Sequence, residues 1–423
     1  MDKILINGGK KLFGSVDVSS AKNACLPILA AAILCEDNLK LLKIPNFEDI
    51  DVMCEILKSL NFKVMRYDDV IEIDGKSADV WVLPKEHTEK IRSSIFCLGS
   101  ILSRFKKAVV SYPGGCSIGK RPIDIHIKGL KDLGVITKET PDGLLVCDGS
   151  KMKSATVKLD FPSVGATENI MLASVYLKGT TKILNAAKEP EIVDLANLLN
   201  AMGARITGAG TSQIEIKGVK KLKGVTYTPI PDRIITGTIL IGGLMTGGKI
   251  CLQNVIPSHV MCLIEKLGKT SCNIGVKNDT ITLEAYKRPK TFGKLETQPF
   301  PDFPTDLQSQ MLTLATISKG KATVVENLFE TRFKQVPYLI DMGAHIKLDG
   351  KTVFIKGVKH LEGKTVKAED LRGGASLILA GLVASGTTVV EDVFHIDRGY
   401  ENIENIFGSL GADIKRIKWW KNL

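Results

Sequence analysis

The chain has 423 residues, 44% of them hydrophobic and 24% charged, a balance that suits a globular protein with two or three cores. Its net charge of +11 comes from lysines scattered along the chain, with no tract alternating basic and aromatic residues; this argues against nucleic-acid binding and for a solvated surface with a local basic site for an anionic substrate. Nine cysteines without a C-x-x-C pair and six histidines without ligand spacing argue for reduced thiols and against a disulfide framework or a metal site.

In chain order, Met1 to Gly9 reads as a short strand and a turn, without the charged-then-apolar layout of a secretory signal. The longest apolar run, Leu26 to Cys35, falls short of the roughly 18–20 residues that span a bilayer, so a cytoplasmic protein is expected. That run is apolar all round, which predicts a helix buried on every side. From there one pattern recurs six times at a period of about seventy residues: a small-residue apolar helix, a turn and a strand. The copies are 23–44, 94–112, 169–185, 237–254, 310–327 and 376–392. Each leads to a second helix that ends in a breaker, at Asn61, Gly134, Gly203, Gly268, Gly343 and Gly411, and then to more strand. The fourth copy is the least regular. Apolar helices and alternating strands together predict helices inside and sheets outside.

Six units divide into two domains of three. The Pro-rich stretch Tyr227 to Asp232 marks a crossing between them, and the first twenty or so residues read as a strand left over from the sixth unit. The expected domains are 22–229 and 1–21 plus 230–423.

The stretch Tyr112 to Asp124 carries three glycines around Cys116, then Lys120, Arg121 and Pro122. It predicts a flexible loop feeding a helix N-terminus, where free N–H groups and two cations favour an anion. The same field lowers the pKa of Cys116 and raises its reactivity. Gly114 through Lys120 also fits G-x-x-x-x-G-K, but Arg121 stands where a Ser or Thr must ligate magnesium, and Pro122 lacks an N–H, so a nucleotide phosphate loop is excluded. His126 and His395 read as structural histidines.

Polar residues recur at corresponding places in the units. Lys22 and Asn23 begin the first buried helix, Arg92 precedes the second, and Ser163-Val164-Gly165 the third. Asp306 precedes the fifth and Arg372 opens the sixth, while Arg332 and Arg398 follow the helix–strand pairs of units five and six. If the units share one fold, these ends converge. Lys22, Arg121, Arg332, Arg372 and Arg398 would then face a reactive thiol and one carboxylate, which suits a substrate with several negative charges.

These residues lie in SSAKNACLPILAA (19–31), YPGGCSIGKRPIDIHIKGL (112–130), SVGATENI (163–170), EPEIVDLANLL (189–199), PDFPTDLQ (301–308), ENLFETRF (326–333), DLRGGASL (370–377) and HIDRGYENI (395–403). On these motifs, across essentially its whole length, the chain resembles the enolpyruvyl transferases, in particular those acting on UDP-N-acetylglucosamine at the opening of peptidoglycan synthesis. The resemblance implies a two-domain inside-out α/β barrel of six βαβαββ repeats, three per domain. It implies transfer of the enolpyruvyl group of phosphoenolpyruvate to a sugar 3-hydroxyl by addition and elimination, with no cofactor, no metal and no obligate protein partner. Cys116, Asp306, Lys22 and Arg398 match the catalytic set. Lys22, Asn23, Arg121, Arg332, Arg372 and Arg398 match phosphoenolpyruvate binding. Asn23, Arg92, Arg121, Pro122, Ile123, Asp124, Ile125, Ser163, Val164, Gly165, Asp306 and Leu328 match sugar-nucleotide contacts. Phe161 departs from the lysine that many relatives carry there. The alternatives are the shikimate-pathway enolpyruvyl transferase, which lacks the PGGC loop, and a non-catalytic sugar-nucleotide sensor, which would need neither Cys116 nor Asp306.

Overall fold

The computed structural model describes residues 2–114 and 123–418 of the chain. These fall into two compact units. A central unit takes 20–114 and 123–230, and a terminal unit takes 2–19 and 231–418. The Trp419-Trp420 tail and the loop residues 115–122, which include Cys116, Arg121 and Pro122, lie outside the described residues.

Within each unit the small-residue helices are buried on all sides. In the central unit Lys22–Ala31 buries nine of its ten residues, and Val164–Ser174 nine of its eleven. In the terminal unit Gln308–Ile317 buries all ten, and Arg233–Thr246 thirteen of fourteen. Small residues make this possible. Gly99, for example, lies so close to the Asn169 carbonyl of the neighbouring helix that a Cβ would overlap it. Some hydroxyls inside these helices are satisfied by donating to the preceding turn, as Thr238 does to the Ile234 carbonyl at 2.9 Å and Ser174 to that of Ile170 at 2.7 Å. No described helix is long and apolar enough to cross a membrane.

The sheets lie around these helices, with strands that alternate buried and exposed residues, as in Thr180–Leu184. Among the described residues there are five sheets of four strands and one of three, and none closes on itself into a continuous barrel. Four-stranded sheets share one plan. In the third repeat, strand Thr156–Lys158 runs parallel to Thr180–Leu184, which pairs antiparallel with Gln213–Lys217, and that with Arg205–Thr207. This is the βαβαββ unit, with its last strand inserted between the second and third.

Three repeats borrow strands from distant parts of the chain. The first is opened by Thr226–Tyr227, which lies parallel to Asn38–Leu41. The sixth is completed by Lys3–Asn7, inserted between Thr387–Glu391 and Asp413–Ile417. A second early strand, Phe13–Asp17, opens the fourth repeat beside Lys249–Gln253, so the first twenty residues supply two repeats and not one. The second repeat is the one short of a strand: only a single bridge, Val82 to Val109, stands where the opening strand would pair. The fourth has the full sheet. Its departure is at the second helix, which ends at Gly268 without the left-handed residue that the others use at Asn61, Gly134, Gly203, Gly343 and Gly411.

Where the chain passes between units, the two passing segments pair. In the central unit the Ala21 N–H donates to the Ile230 carbonyl at 2.7 Å, and in the terminal unit the Asp232 N–H donates to that of Ser19 at 2.9 Å.

Candidate active site

The terminal unit gathers a carboxylate and its cations at the entrances of its buried helices. Asp306 sits in the short 3-10 turn Thr305–Leu307 that leads into Gln308–Ile317. Arg332 donates from Nη1 to Asp306 Oδ1 at 2.8 Å, and Arg372 from Nη2 to Oδ2 at 3.0 Å. Both guanidinium groups are buried, with side chains 5% and 4% exposed, whereas the Asp306 side chain keeps 22%. Burial alone would push the Asp306 carboxyl up. Arg372 and Arg332, with Arg233 more weakly, outweigh it and hold the pKa well below the usual carboxylate range.

Each partner is fixed by its own surroundings. Arg372 stands in the first turn of Leu371–Val383, whose cap Asp370 accepts from the Arg372 and Gly373 N–H groups at 2.9 Å each. Its guanidinium carbon lies 5.6 Å from the centre of the Tyr400 ring. The Tyr400 hydroxyl accepts in turn from Gln310 Nε2 at 3.2 Å and, since the Thr238 proton is given to Ile234, donates to Thr238 Oγ1 at 2.8 Å. Arg398 ends the short helix Phe394–Asp397 on the same segment. Burial and then the Arg398 charge lower the His395 pKa, which keeps that histidine neutral. Leu328 lies on the turn after strand Lys321–Val325, its N–H bonded to Glu326 Oε1 at 2.8 Å.

In the central unit, Lys22 occupies the first position of its buried helix and meets Asp49 through Nζ and Oδ2 at 2.8 Å. Both side chains are less than one-tenth exposed, a buried pair of the kind that is strongly destabilised when one partner is removed. Asn23 follows, half-buried. Three of the segments matched to the sugar nucleotide come together. Ser163 caps Val164–Ser174, accepting from the Ala166 N–H at 3.3 Å. A Cβ on Gly165 would sit 3.0 Å from the His126 ring and 3.1 Å from that of Phe96, a tight approach that any larger residue could keep only if those rings gave way. His126 lies in Asp124–Asp132, just after Ile123, Asp124 and Ile125, and its Nδ1 shares a hydrogen bond with Asn169 Nδ2 at 3.1 Å. Phe96 begins the helix that directly follows the 3-10 turn Arg92–Ile95. Phe161 is exposed, at 44%.

Several residues here were missed as site candidates. Arg233 opens Arg233–Thr246 directly after its cap Asp232, at the place Lys22 holds in the first repeat; that correspondence was the available signal. Asp49, Thr305 and Glu326 carried no signal, because their partners become visible only in three dimensions. The described residues hold no group of three or more His, Cys, Asp or Glu arranged to bind a metal.

The family model described as EPSP synthase (3-phosphoshikimate 1-carboxyvinyltransferase) matches residues 6–407. A protein of Caldanaerobacter subterraneus subsp. tengcongensis named UDP-N-acetylglucosamine 1-carboxyvinyltransferase 2 is 49% identical over 417 residues, covering 99% of this chain and all of that one. The UDP-N-acetylglucosamine 1-carboxyvinyltransferase of Shewanella amazonensis is 44% identical over 421 residues, with the same coverage. Among solved structures, the enolpyruvyl transferase NikO from Streptomyces tendae superposes with a TM-score of 0.88 at 23% identity, over 98% of both chains. EPSP synthase from Acinetobacter baumannii superposes with a TM-score of 0.78 at 17% identity, over 99% of this chain and all of that one. A match that spans nearly the whole chain, on a fold whose buried helices open onto paired arginines, makes this chain a member of the EPSP synthase family of enolpyruvyl transferases.

Proposed function

We propose that the chain transfers the enolpyruvyl group of phosphoenolpyruvate to the 3-hydroxyl of UDP-N-acetylglucosamine and releases phosphate, as the first committed step of peptidoglycan precursor synthesis in the cytoplasm. The observation that carries this reading is whole-length identity of 44–49% to relatives named for that activity. Chemically, C3 of phosphoenolpyruvate gains a proton while the sugar hydroxyl adds to C2. The hydroxyl proton passes to a base, and the tetrahedral adduct then loses a C3 proton and phosphate to restore the double bond.

Asp306 is the proposed base at the sugar hydroxyl, supported by its ionised state between two arginines. Arg332 and Arg372 each keep further N–H groups for an anion, which fits a phosphate or carboxylate arriving beside Asp306. Lys22, Asn23, Arg121 and Arg398 complete phosphoenolpyruvate binding in this reading, and Cys116 serves as proton donor or covalent anchor. The sugar nucleotide is assigned to Arg92, 121–125, 163–165 and Leu328, supported by the meeting of the described segments around Gly165.

A second reading, 3-phosphoshikimate as acceptor, rests on the description of the family model. Phosphate release separates the two. The expected result is release from phosphoenolpyruvate with UDP-N-acetylglucosamine and none with shikimate 3-phosphate; the reverse pattern overturns the proposal.

A further inference from the structure

Glu326 follows strand Lys321–Val325 in the terminal unit and is only 2% exposed. No cation pairs with it directly in the bonds described, yet its carboxylate is densely used. Oε1 accepts from the Thr297 hydroxyl at 2.9 Å, the Leu328 N–H at 2.8 Å and the Phe329 N–H at 3.1 Å. Oε2 accepts from the Thr305 hydroxyl at 2.8 Å. Thr305 Oγ1 in turn accepts from Arg332 Nη1 at 2.8 Å, the same nitrogen that reaches Asp306 Oδ1 at 2.8 Å.

The chemistry fixes the direction of this relay. An ionised carboxylate can only accept, so the Thr305 proton must point at Glu326, which turns an oxygen lone pair toward Arg332. Arg332 cannot supply an acceptor, so the chain Arg332 to Thr305 to Glu326 runs one way. The other oxygen of Glu326 holds the backbone turn at 328–329. One buried charge therefore sets both the guanidinium beside the proposed base and the turn carrying Leu328. Its own backbone is held as well, with the Glu326 N–H on the Lys351 carbonyl at 2.9 Å and the Asn327 N–H on Thr297 Oγ1 at 2.9 Å.

We infer that Glu326 is a positioning residue for enolpyruvyl transfer, acting through the Thr305 hydroxyl to hold Arg332 in place for the anionic substrate. This rests on the function proposed above.

Glu326→Gln keeps the volume and isolates the charge. Its amide carbonyl takes over the three donors at Oε1, which forces the amide N–H group onto Thr305. The threonine then accepts from two sides and its own proton loses its acceptor, so Arg332 is no longer fixed. Steady-state kinetics with both substrates varied should show kcat/KM for phosphoenolpyruvate lowered about tenfold, equivalent to about 1.4 kcal/mol, with KM for UDP-N-acetylglucosamine nearly unchanged. Thr305→Val should give the same loss, Thr305→Ser should restore activity, and the double variant Glu326→Gln/Thr305→Val should lose no more than either single one. Unchanged kcat/KM in Glu326→Gln, additive losses in the double variant, or a loss that follows a fall in melting temperature overturns the inference. Should Glu326→Gln fail to fold, the Thr305→Val and Thr305→Ser pair decides it, since valine with full activity or serine without rescue breaks the relay. Inactivity of the wild-type enzyme toward UDP-N-acetylglucosamine would instead refute the proposed function.

Discussion

Asp306→Asn removes one charge and leaves the buried guanidinium groups of Arg332 and Arg372 facing an amide that can accept only through its single oxygen. Breaking a buried pair by removing one partner destabilises by about 3–5 kcal/mol. The partial exposure of Asp306 and the remaining acceptor favour the lower end, about 3 kcal/mol. For a unit of roughly 200 residues, each kcal/mol moves the melting temperature by about 2–4 °C, so the transition of the terminal unit should fall by about 6–12 °C. The vacated arginines then form an empty anion site, so inorganic phosphate should raise the melting temperature of the variant more than that of the wild type. The pH dependence has a fixed sign. Asp306 has its folded pKa depressed, so its contribution is present above the unfolded value of about 3.9 and is lost as pH falls below it; the variant should lack that part of the acid limb. Calorimetry in a buffer of large, weakly binding anions, with and without phosphate, measures all three. A variant within about 2 °C of wild type and indifferent to phosphate would refute the account of the cluster.

Gly99→Ala should prevent close approach of Phe96–Phe105 to Val164–Ser174, because the new methyl overlaps the Asn169 carbonyl; loss of soluble, cooperatively melting protein is the expected result, and a melting temperature equal to wild type contradicts it. Asp194 is pushed up to about 6 by burial, against the bonds it accepts from Tyr227 at 2.6 Å and the Ile230 N–H at 3.1 Å, with the Glu191 charge adding to the rise. A raised folded value means that its stabilisation is present below about pH 4 and lost as pH rises to about 6, by up to roughly 3 kcal/mol; Asp194→Asn should flatten that slope in a denaturant series, and an unchanged slope argues against it. Burial pushes Cys54 up to about 11 and Cys97 and Cys147 up to about 12, so at neutral pH these thiols are almost wholly protonated. Fosfomycin should therefore alkylate Cys116 first, faster with UDP-N-acetylglucosamine present, and peptide maps showing label on Cys54 or Cys97, or slower labelling with the nucleotide, would count against that.

The repeat was legible in sequence because its signals are local. Apolar small-residue runs predict buried helices, and the left-handed breakers at Gly134, Gly203, Gly343 and Gly411 punctuate each copy. Strand ownership was not legible. Two residues, Thr226 and Tyr227, open a repeat whose next strand begins at Asn38, and nothing in so short a segment encodes that pairing. The places of Arg332, Arg372 and Asp306 in the repeat single them out in sequence, yet their pairing is not legible there, since Asp306 and Arg372 are 66 residues apart. Glu326 was quoted within a motif and given no role. A buried acid whose partners are hydroxyls and backbone N–H groups leaves no charge pattern in the chain.

The first turns of the six buried helices, with the short turns leading into them, carry Lys22, Arg92, Ser163 with Gly165, Arg233, Asp306 and Arg372. A helix N-terminus favours an acid by about 0.3–1 kcal/mol and disfavours a cation by as much, and burial of the cation adds desolvation. Stability alone favours acids at such ends, and Asp232 and Asp370 do cap two of them. Four of the six nonetheless carry a cation in the first turn or just before it, and Lys22, Arg233 and Arg372 are less than one-tenth exposed. Such a repeated conflict between local preference and observed residue is expected only where the residues serve something other than folding. An anionic ligand meeting the cations at these helix ends would resolve it. Asp306, the base of the proposed reaction, differs from the caps Asp232 and Asp370 in facing two buried arginines, and Arg332 and Arg372 keep it ionised, as a proton acceptor must be.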